Sequence, residues 1–386
     1  MNDTIINFYQ TLFTSGDSSG LAKVIDVIPH VITSDMNERL AMEFTIEEVE
    51  VALKQMAPLK SPDPNGMPPL FYQNYWSLTG SDVTLSILHY LNSGVLSQSF
   101  CHSFITLIPK VKNPEYVTKF RSISLSNVLY KIFSKVLTNG LKTIMPQLIS
   151  EHQSVFMSDR LISDNILVAF ETLHYMRIHN KGKIGFMALK LDMSKTYDRV
   201  EWSFMEKVLV KMGFQDRWVK LMMVCITTAS YLVLINEEPH GHITPSSGLR
   251  QGDPFSPYLF LMCIEVLHRL INKAANNGEI RGMSIFHNGP KLTHLLFVDD
   301  SLVFRKAKES ECQTLLNILS KYERASSQQI NRAKTTLFFS KSTNADMQNR
   351  IKDMLGVTVV QQYEKYLGLP SLVGRNKKES FTHIKQ

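Results

Sequence analysis

The stretch LTHLLFVDDSLVFRK, residues 292–306, places two adjacent aspartates between two segments that are rich in strand-forming residues. These segments predict antiparallel strands, so Asp299 and Asp300 are expected at the tip of a tight hairpin. Such turns favour Asn-Gly or Asp-Gly, because both central positions adopt positive φ. Two carboxylates about 4 Å apart also repel each other by roughly 4 kcal/mol at an effective dielectric constant near 20. The doublet is therefore either a solvated turn or part of a cation site.

A third aspartate favours the cation site. The segment MALKLDMSKTYDRVEW predicts a strand over residues 187–191, with Asp192 at its carboxyl end. Asp198 follows six residues later and is expected near the start of a helix, where its charge would suit the helix dipole. Three carboxylates on neighbouring strands provide the oxygen ligands that Mg²⁺ prefers beside phosphates. Two such ions about 3.5–4 Å apart would activate a hydroxyl and stabilise a leaving pyrophosphate, which indicates nucleotidyl transfer.

Composition narrows the class of protein. The 386 residues are 44% hydrophobic, enough for one large core or for two to three domains. The net charge of +7 is compatible with a polyanionic partner such as nucleic acid, although many basic proteins bind none. The four cysteines are far apart in sequence, which excludes a CxxC zinc pair and favours buried thiols. The longest apolar run, residues 221–235, is too short to span a bilayer, so we expect a soluble intracellular protein without a membrane partner.

The order of predicted elements indicates the fold class. Residues 44–56 begin with a capping box, in which Thr45 is the N-cap and Glu48 follows three positions later. Five prolines between residues 58 and 69 predict a rigid loop. Further along, predicted strands and helices are mixed, with hairpins as well as crossovers. This pattern predicts an α+β fold rather than an all-parallel sheet.

Eight collinear motifs resemble those of one polymerase family. The segments LDMSKTYDRVEW, GLRQGDPFSPYLF and LLFVDDSLVF resemble the palm motifs of a reverse transcriptase. The segments SPDPNGMPPLFYQNYW, ITLIPK, FRSISLSNVLYKI and LISDNI resemble its fingers motifs, and YEKYLGLPSLVGRNKKESF resembles its primer grip and early thumb. Together they cover nearly the whole chain and most resemble plant non-LTR (LINE-type) retrotransposon polymerases.

The resemblance implies a right-hand polymerase fold with fingers and palm. The palm would be a split βαβ-like antiparallel sheet with helices on one face, and the thumb would be truncated. The implied division is an N-terminal lead-in over 1–45, fingers over 46–170, palm over 171–345, and primer grip with the start of the thumb over 346–386.

The implied activity is RNA-directed DNA polymerisation, in which a primer 3′-hydroxyl attacks the α-phosphate of a dNTP. Asp192 and Asp299 would hold two Mg²⁺ ions, or Mn²⁺ as an alternative, with Asp300 as a supporting carboxylate. The backbone carbonyl of Met193 would add a ligand. The implied partners are an RNA template, a DNA primer and dNTPs, and the family's chromosomal target implies residence in the nucleus.

The resemblance also assigns residues to the substrates. Lys110 and Arg121 would hold the incoming triphosphate, and Tyr197 would exclude a 2′-hydroxyl by contact with the sugar. Gln251 would lie beside the nascent base pair.

Template and primer contacts fall on a second group of residues. Gly252 would allow close approach of the backbone to the template, and Tyr366, Leu367 and Gly368 would form the primer grip. Lys334 stands where a lysine could protonate pyrophosphate.

Departures from the family pattern keep an alternative open. They are Asp63 for glycine, Ser122 for proline, Ser158-Asp159 for Pro-Gly, and Thr196 and Val298 for alanine. The expected endonuclease and zinc knuckle are not found, and the chain ends at Gln386, where thumb helices are expected to begin. The alternative is a degenerate, truncated and inactive remnant that at most binds RNA or RNA–DNA duplex. An RNA-dependent RNA polymerase is disfavoured by Tyr197, because those enzymes often place an acid at this spacing.

Overall fold

The computed structural model describes residues 2–16, 20–59, 66–157, 160–178, 184–286, 289–297 and 300–361, and the backbone of 365–366 and 369–370. Several residues discussed above lie outside these ranges: Asp63, Ser158, Asp159, Val298, Asp299, Leu367 and Gly368.

Fifteen α-helices and twelve strands form within the described residues. The helices are α1 (Asn2–Leu12), α2 (Leu21–Ile25), α3 (Ser34–Ala41), α4 (Ile46–Lys54), α5 (Pro69–Asn74), α6 (Trp76–Ser93), α7 (Gln98–Cys101), α8 (Val128–Lys142), α9 (Met145–Leu148), α10 (Ile162–Ile178), α11 (Trp202–Met212), α12 (Asp216–Thr227), α13 (Ser256–Asn276), α14 (Glu309–Ser326) and α15 (Ala345–Leu355). The strands are β1 (His102–Pro109), β2 (Phe120–Ser126), β3 (Phe186–Ser194), β4 (Ser230–Ile235), β5 (Glu238–Ile243), β6 (His294–Phe297), β7 (Asp300–Lys306), β8 (Gln329–Ile330), β9 (Thr336–Phe339), β10 (Thr358–Val359), β11 (Lys365–Tyr366) and β12 (Leu369–Pro370).

The chain divides into two compact units. Unit 1 comprises Met1–Leu148, Tyr197–Cys263 and Ala325–Ser327, and unit 2 comprises Ile149–Thr196, Ile264–Arg324 and Gln328–Gln386. The predicted division into lead-in, fingers, palm and primer grip stays a prediction.

Unit 1 contains a four-stranded sheet in the order β2-β1-β4-β5. β1 pairs antiparallel with β2 and parallel with β4, and β4 pairs antiparallel with β5. Tyr9 and Phe13 pack with Tyr231 and Val233 in one buried cluster, so α1 supplies part of this core. The predicted capping box is present, because Thr45 accepts from the Glu48 backbone and the Glu48 side chain accepts from the Thr45 backbone.

Unit 2 contains the sheet β10-β9-β3-β7-β6, with β8 also pairing β3. Central β3 is antiparallel to both β7 and β9. The mixed α+β fold class is thereby confirmed, with antiparallel pairing dominant.

Helices cover both faces of this sheet, whereas helices were predicted on one face only. On one face, Ala188 and Phe304 pack in a cluster with Leu173 of α10. On the other, Leu189 lines a small cavity together with Leu316 of α14. Consecutive apolar residues along β3 explain the difference, because a strand buried on both faces does not alternate with polar residues.

All four cysteines are buried and free, as their spacing predicted. Within the described parts of the chain, no helix is long and apolar enough to cross a membrane.

Candidate active site

Two of the three predicted acids face each other across unit 2's sheet. Asp192 of β3 lies directly opposite Asp300 of β7 in the antiparallel register. β3 runs on to Ser194, because Met193 pairs with Ile330 of β8, so the predicted end of this strand at Asp192 was wrong. The hairpin of β6 and β7 is confirmed, but Asp300 begins β7 and pairs with Phe297 instead of lying in the turn.

Nearby cations partly compensate this acid pair. The Lys190 Nζ lies 3.2 Å from the Asp300 Oδ1. Burial raises the pKa of the Asp192 carboxyl above its ordinary value, and the charge of Asp300 acts in the same direction. Three interactions lower this pKa: the charge of Lys334, a side-chain hydrogen bond with Asn331, and the charge of Lys190. The net shift is upward, so an added cation would relieve an unfavourable charge.

The loop after β8 positions Asp192. The Asn331 N–H donates to the Asp192 carbonyl at 2.8 Å, and the Asp192 N–H donates to the Thr335 Oγ1 at 3.3 Å. Only Lys334 of this loop was predicted from the sequence to be a site residue. Asn331 was missed, although an Asn-x-x-Lys-Thr segment directly before a predicted strand could have marked a loop that is tied to a neighbouring strand.

The available donors fit a hard divalent cation. Carboxylates are the preferred ligands of Mg²⁺, and Asp192 and Asp300 are both partly exposed. The Met193 carbonyl accepts from the Thr196 hydroxyl at 3.3 Å, and a carbonyl has a second lone pair. Within the described ranges no group of three or more His, Cys, Asp or Glu could hold a metal, and the third expected acid, Asp299, lies outside them.

Two proposed triphosphate ligands lie together on the β1–β2 hairpin of unit 1. Arg121 pairs with Ile108, and the Lys110 N–H donates to the Lys119 carbonyl at 2.8 Å, which continues the pairing past β1. Opposite residues share a face of a sheet, as do residues two apart, so Lys110 and Arg121 share one face. Both are exposed. The role of these cations stays a prediction.

The other nucleotide and template residues of unit 1 have definite packing partners. The Tyr197 ring stacks on Phe260 with a centroid separation of 5.3 Å and remains partly exposed. The Gln251 carbonyl accepts from the Ser124 N–H at 2.8 Å. Gly252 has φ +111°, and a Cβ there would lie 3.3 Å from the Ser124 carbonyl oxygen. Glycine is therefore needed for the close contact with β2, and the role of Gly252 toward the template stays a prediction.

A buried polar cluster beneath the Gln251–Gly252 loop was missed. Asp253 is only 3% exposed and accepts from Tyr130 Oη at 3.2 Å and from Ser256 Oγ at 3.3 Å, as well as from Ser134 Oγ. The Arg250 guanidinium lies 4.3 Å from the Tyr130 ring centroid. Tyr130 and Ser134, two partners of Asp253, are distant along the chain, so the local sequence gives no signal for this cluster.

The predicted helix-dipole role of Asp198 is wrong. The helix begins four residues later at Trp202, with Glu201 as its N-cap. Asp198 is instead buried and accepts from the Ser122 hydroxyl at 3.2 Å. Ser122 is one of the departures from the family pattern, and here its hydroxyl has a buried carboxylate as its partner.

The predicted primer grip lies at a short antiparallel pair. Tyr366 of β11 pairs with Leu369 of β12, on either side of residues 367–368. The roles of Tyr366, Leu367 and Gly368 stay predictions.

A cluster of three histidines supports the β6–β7 hairpin in unit 2. The Asn272 Nδ2 donates to the His268 Nε2 at 2.7 Å, which places the His268 proton on Nδ1. The His268 Nδ1–H then donates to the His294 Nε2 at 2.6 Å, and the His294 Nδ1–H donates to the Thr293 hydroxyl oxygen. The His152 ring stacks on His294 at 5.1 Å. This network is complete only when the rings are neutral, because protonation would put two N–H groups face to face.

The cluster predicts acid sensitivity. Burial lowers the pKa of His268 to about 3, and the neighbouring His152 and Arg269 act in the same direction. The unfolded chain therefore binds a proton below about pH 6.5 that the folded protein excludes, so stability is full above this pH and falls as the pH decreases. We expect His268 to cost about 2 kcal/mol at pH 5 relative to pH 7.

Urea unfolding at the two pH values tests this expectation. His268→Asn, which keeps a donor at the Nδ1 position, should reduce the loss of stability between pH 7 and pH 5. An exposed histidine such as His89 provides the control, and His89→Asn should leave the pH dependence unchanged. An identical loss in His268→Asn and wild type would contradict a neutral, buried cluster.

The sequence is similar to that of one protein family and to several known proteins. The family described as reverse transcriptase (RNA-dependent DNA polymerase) matches residues 108–370. The chain is 27% identical over 353 residues to the Transposon TX1 uncharacterized 149 kDa protein of Xenopus laevis, which covers 90% of this chain and 26% of that protein.

Two further relatives share shorter regions. The Uncharacterized mitochondrial protein AtMg01250 of Arabidopsis thaliana is 51% identical over 70 residues, which are 18% of this chain and 57% of that protein. The Retrovirus-related Pol polyprotein from type-1 retrotransposable element R2 of Nasonia vitripennis is 24% identical over 265 residues, which are 68% of this chain and 24% of that protein. The matched regions thus cover less than two thirds of each relative.

Proposed function

Because the chain belongs to the reverse transcriptase (RNA-dependent DNA polymerase) family, we propose that it copies RNA into DNA by adding dNTPs to a primer 3′-hydroxyl. The observation that carries the proposal is the pairing of Asp192 with Asp300 inside the region that matches the family. Relatives named for transposon TX1 and the R2 retrotransposable element support a non-LTR, LINE-type element as its source. The 51% identity to a protein of Arabidopsis thaliana supports a plant element.

The family generally uses divalent metal ions, and we propose two Mg²⁺ ions for this chain, with Mn²⁺ as a substitute. Asp192, Asp299 and Asp300 would hold them, and the Met193 carbonyl would add a ligand. When bound, the ions would activate the attacking hydroxyl and stabilise the charge on the pyrophosphate. The oxygen donor set and the raised pKa of Asp192, caused first by burial, support a cation at this position.

The remaining residues would bind and orient the substrates. Lys110 and Arg121 would neutralise the triphosphate, and two cations on one face of a hairpin suit such a group. Tyr197 would lie against the sugar and Gln251 beside the new base pair. Lys334 would donate a proton to pyrophosphate, and its charge acts on Asp192 and lowers the pKa of that carboxyl.

The nucleic acid would be an RNA template paired with a DNA primer. Gly252 would contact the template, and Tyr366, Leu367 and Gly368 would hold the primer end. The net charge of +7 supports binding through phosphates, so the affinity should fall as the salt concentration rises. We also propose residence in the nucleus, where a chromosomal target would lie.

Primer extension tests the proposed function. The purified chain is incubated with an RNA template, an annealed DNA primer, Mg²⁺ and four dNTPs, and the elongated primer is resolved by length. We expect extension that requires the RNA template and stops on chelation of the metal. No extension with either Mg²⁺ or Mn²⁺ would overturn the polymerase proposal and favour the inactive remnant that binds RNA at most.

The choice of sugar tests Tyr197 separately. We expect Tyr197→Ala to raise ribonucleotide use relative to deoxyribonucleotide use by about tenfold, because removal of the ring makes space for the 2′-hydroxyl. Tyr197→Phe keeps the ring that stacks on Phe260 and should retain wild-type selectivity. Single-nucleotide incorporation with rNTP and dNTP gives both ratios. Equal selectivity in Tyr197→Ala and wild type would show that Tyr197 is a packing residue.

A further inference from the structure

Two charged residues, Lys190 and Asp192, lie within the otherwise apolar central strand of unit 2. Lys190 of β3 pairs with Leu302 of β7 on one side and with Thr336 of β9 on the other. Residues two apart on a strand share a face, so Lys190 lies on the same face as Asp192. A lysine in a central strand costs free energy unless its ammonium has a partner. The neighbouring aspartates provide such a partner for the Lys190 ammonium.

The partner is the acid on the neighbouring strand. The Lys190 Nζ reaches diagonally to the Asp300 Oδ1 at 3.2 Å, a distance that a long side chain can bridge between strands. The side chains of Lys190 and Asp300 are only 25% and 34% exposed, so solvent screens this pair less than a surface pair. The contact therefore holds the Asp300 carboxylate in one orientation.

The charges around this position balance among the described residues. Asp192 and Asp300 face each other, and the cations that act on Asp192 are Lys334 and Lys190. Lys334 is exposed, whereas Lys190 is held within the sheet. Of these two cations, Lys190 is therefore the one that lies on a strand carrying one of the acids.

We propose that Lys190 is a positioning residue that acts as the internal counter-ion of the acid pair. Its ammonium holds the Asp300 carboxylate in the metal-free protein and leaves it when a divalent cation binds there. An ammonium 3.2 Å from the carboxylate oxygen would repel a cation bound to that carboxylate, so the two compete. The four-carbon stem of lysine can swing the ammonium away without a change in β3. This inference rests on the metal site of the proposed function.

Metal-induced stabilisation measures this competition without polymerase activity. The melting temperature of the whole chain is followed while Mg²⁺ is added in the absence of nucleotide and nucleic acid. In Lys190→Met, which keeps the length of the side chain, the half-saturating Mg²⁺ concentration should fall about fivefold. The metal-free melting temperature should also fall, because the acids lose their counter-ion. Lys190→Arg keeps the charge and should behave like wild type.

A matched control comes from the same unit. Lys321 is an exposed lysine on α14, and Lys321→Met should leave the Mg²⁺ dependence unchanged. If Lys190→Met is unfolded, Lys190→Gln tests the same loss of charge with a polar side chain. An unchanged or higher half-saturating Mg²⁺ concentration in the neutral variants, or no Mg²⁺ effect on wild type, would overturn the inference. Primer extension is measured separately, so a failure of the polymerase proposal is distinguished from a failure of this one.

Discussion

Replacement of Asp192 by asparagine is expected to reduce nucleotide incorporation at least about 10³-fold while leaving the metal-free protein as stable as wild type or more stable. Asparagine has the shape of aspartate, and its Oδ1 can still accept the side-chain hydrogen bond from Asn331. It lacks the negative charge that would hold a divalent cation. The rate of incorporation should therefore fall while the stability of the metal-free protein does not, which distinguishes a catalytic acid from a structural one.

The expected stability follows from the charge of Asp192. Burial, with Asp300 opposite, raises the pKa of Asp192 in the folded protein. A carboxyl with a raised pKa costs stability above that pKa, and this cost disappears as the pH falls below its ordinary value. At pH 7 the asparagine variant removes the cost. Its stability should also depend less on pH in the acidic range than that of wild type.

Primer extension and thermal melting in parallel provide the measurement. Asp353→Asn changes an exposed aspartate of α15 and should leave both the rate and the melting temperature at wild-type values. Incorporation within about tenfold of wild type in Asp192→Asn would rule out a catalytic role for Asp192. A large loss of stability together with a loss of rate would instead assign Asp192 to the packing of the sheet.

Local patterns predicted several elements correctly. The apolar segments around the acid doublet gave the β6–β7 hairpin, and Thr45 with Glu48 gave the start of α4. These features depend on residues close together in sequence. Hydrogen bonding within a helix turn or a hairpin is set by such neighbours, so it can be read without the rest of the chain.

Errors arose where distant residues determine the structure. The end of β3 was placed at Asp192, because a strand that continues past an aspartate needs a partner such as β8, whose residue Ile330 pairs with Met193. Asp198 was assigned to a helix terminus, but its partner Ser122 lies 76 residues away. The positions of the acids along the chain were enough to predict them as site residues. Asn331 and Lys190 were identified only from their contacts with Asp192 and Asp300 in the structure.

The second large effect is expected at Asp253, where alanine should destabilise the protein by about 3–5 kcal/mol. Asp253 accepts from three buried hydroxyls, those of Tyr130, Ser134 and Ser256. Alanine would leave these donors without their carboxylate acceptor and would remove the negative charge of Asp253 that acts on Arg250. The Arg250 guanidinium would keep its bonds to the Cys101 and Cys225 carbonyls, which carry no full charge.

The same variant should also lower activity, because Asp253 fixes the loop that carries Gln251 and Gly252. The Phe255 N–H donates to the Asp253 Oδ1 at 3.3 Å, which ties this loop to the start of α13. Asp253→Asn retains one acceptor oxygen, and the hydroxyls can rotate, so its cost should be smaller, about 1–2 kcal/mol. Urea unfolding gives the free energy of unfolding of each variant. Asp216→Ala, which changes an exposed aspartate, is the control. A cost below about 1 kcal/mol for Asp253→Ala would show that the cluster is not a structural centre of unit 1, since buried networks lose more than this when their acceptor is removed.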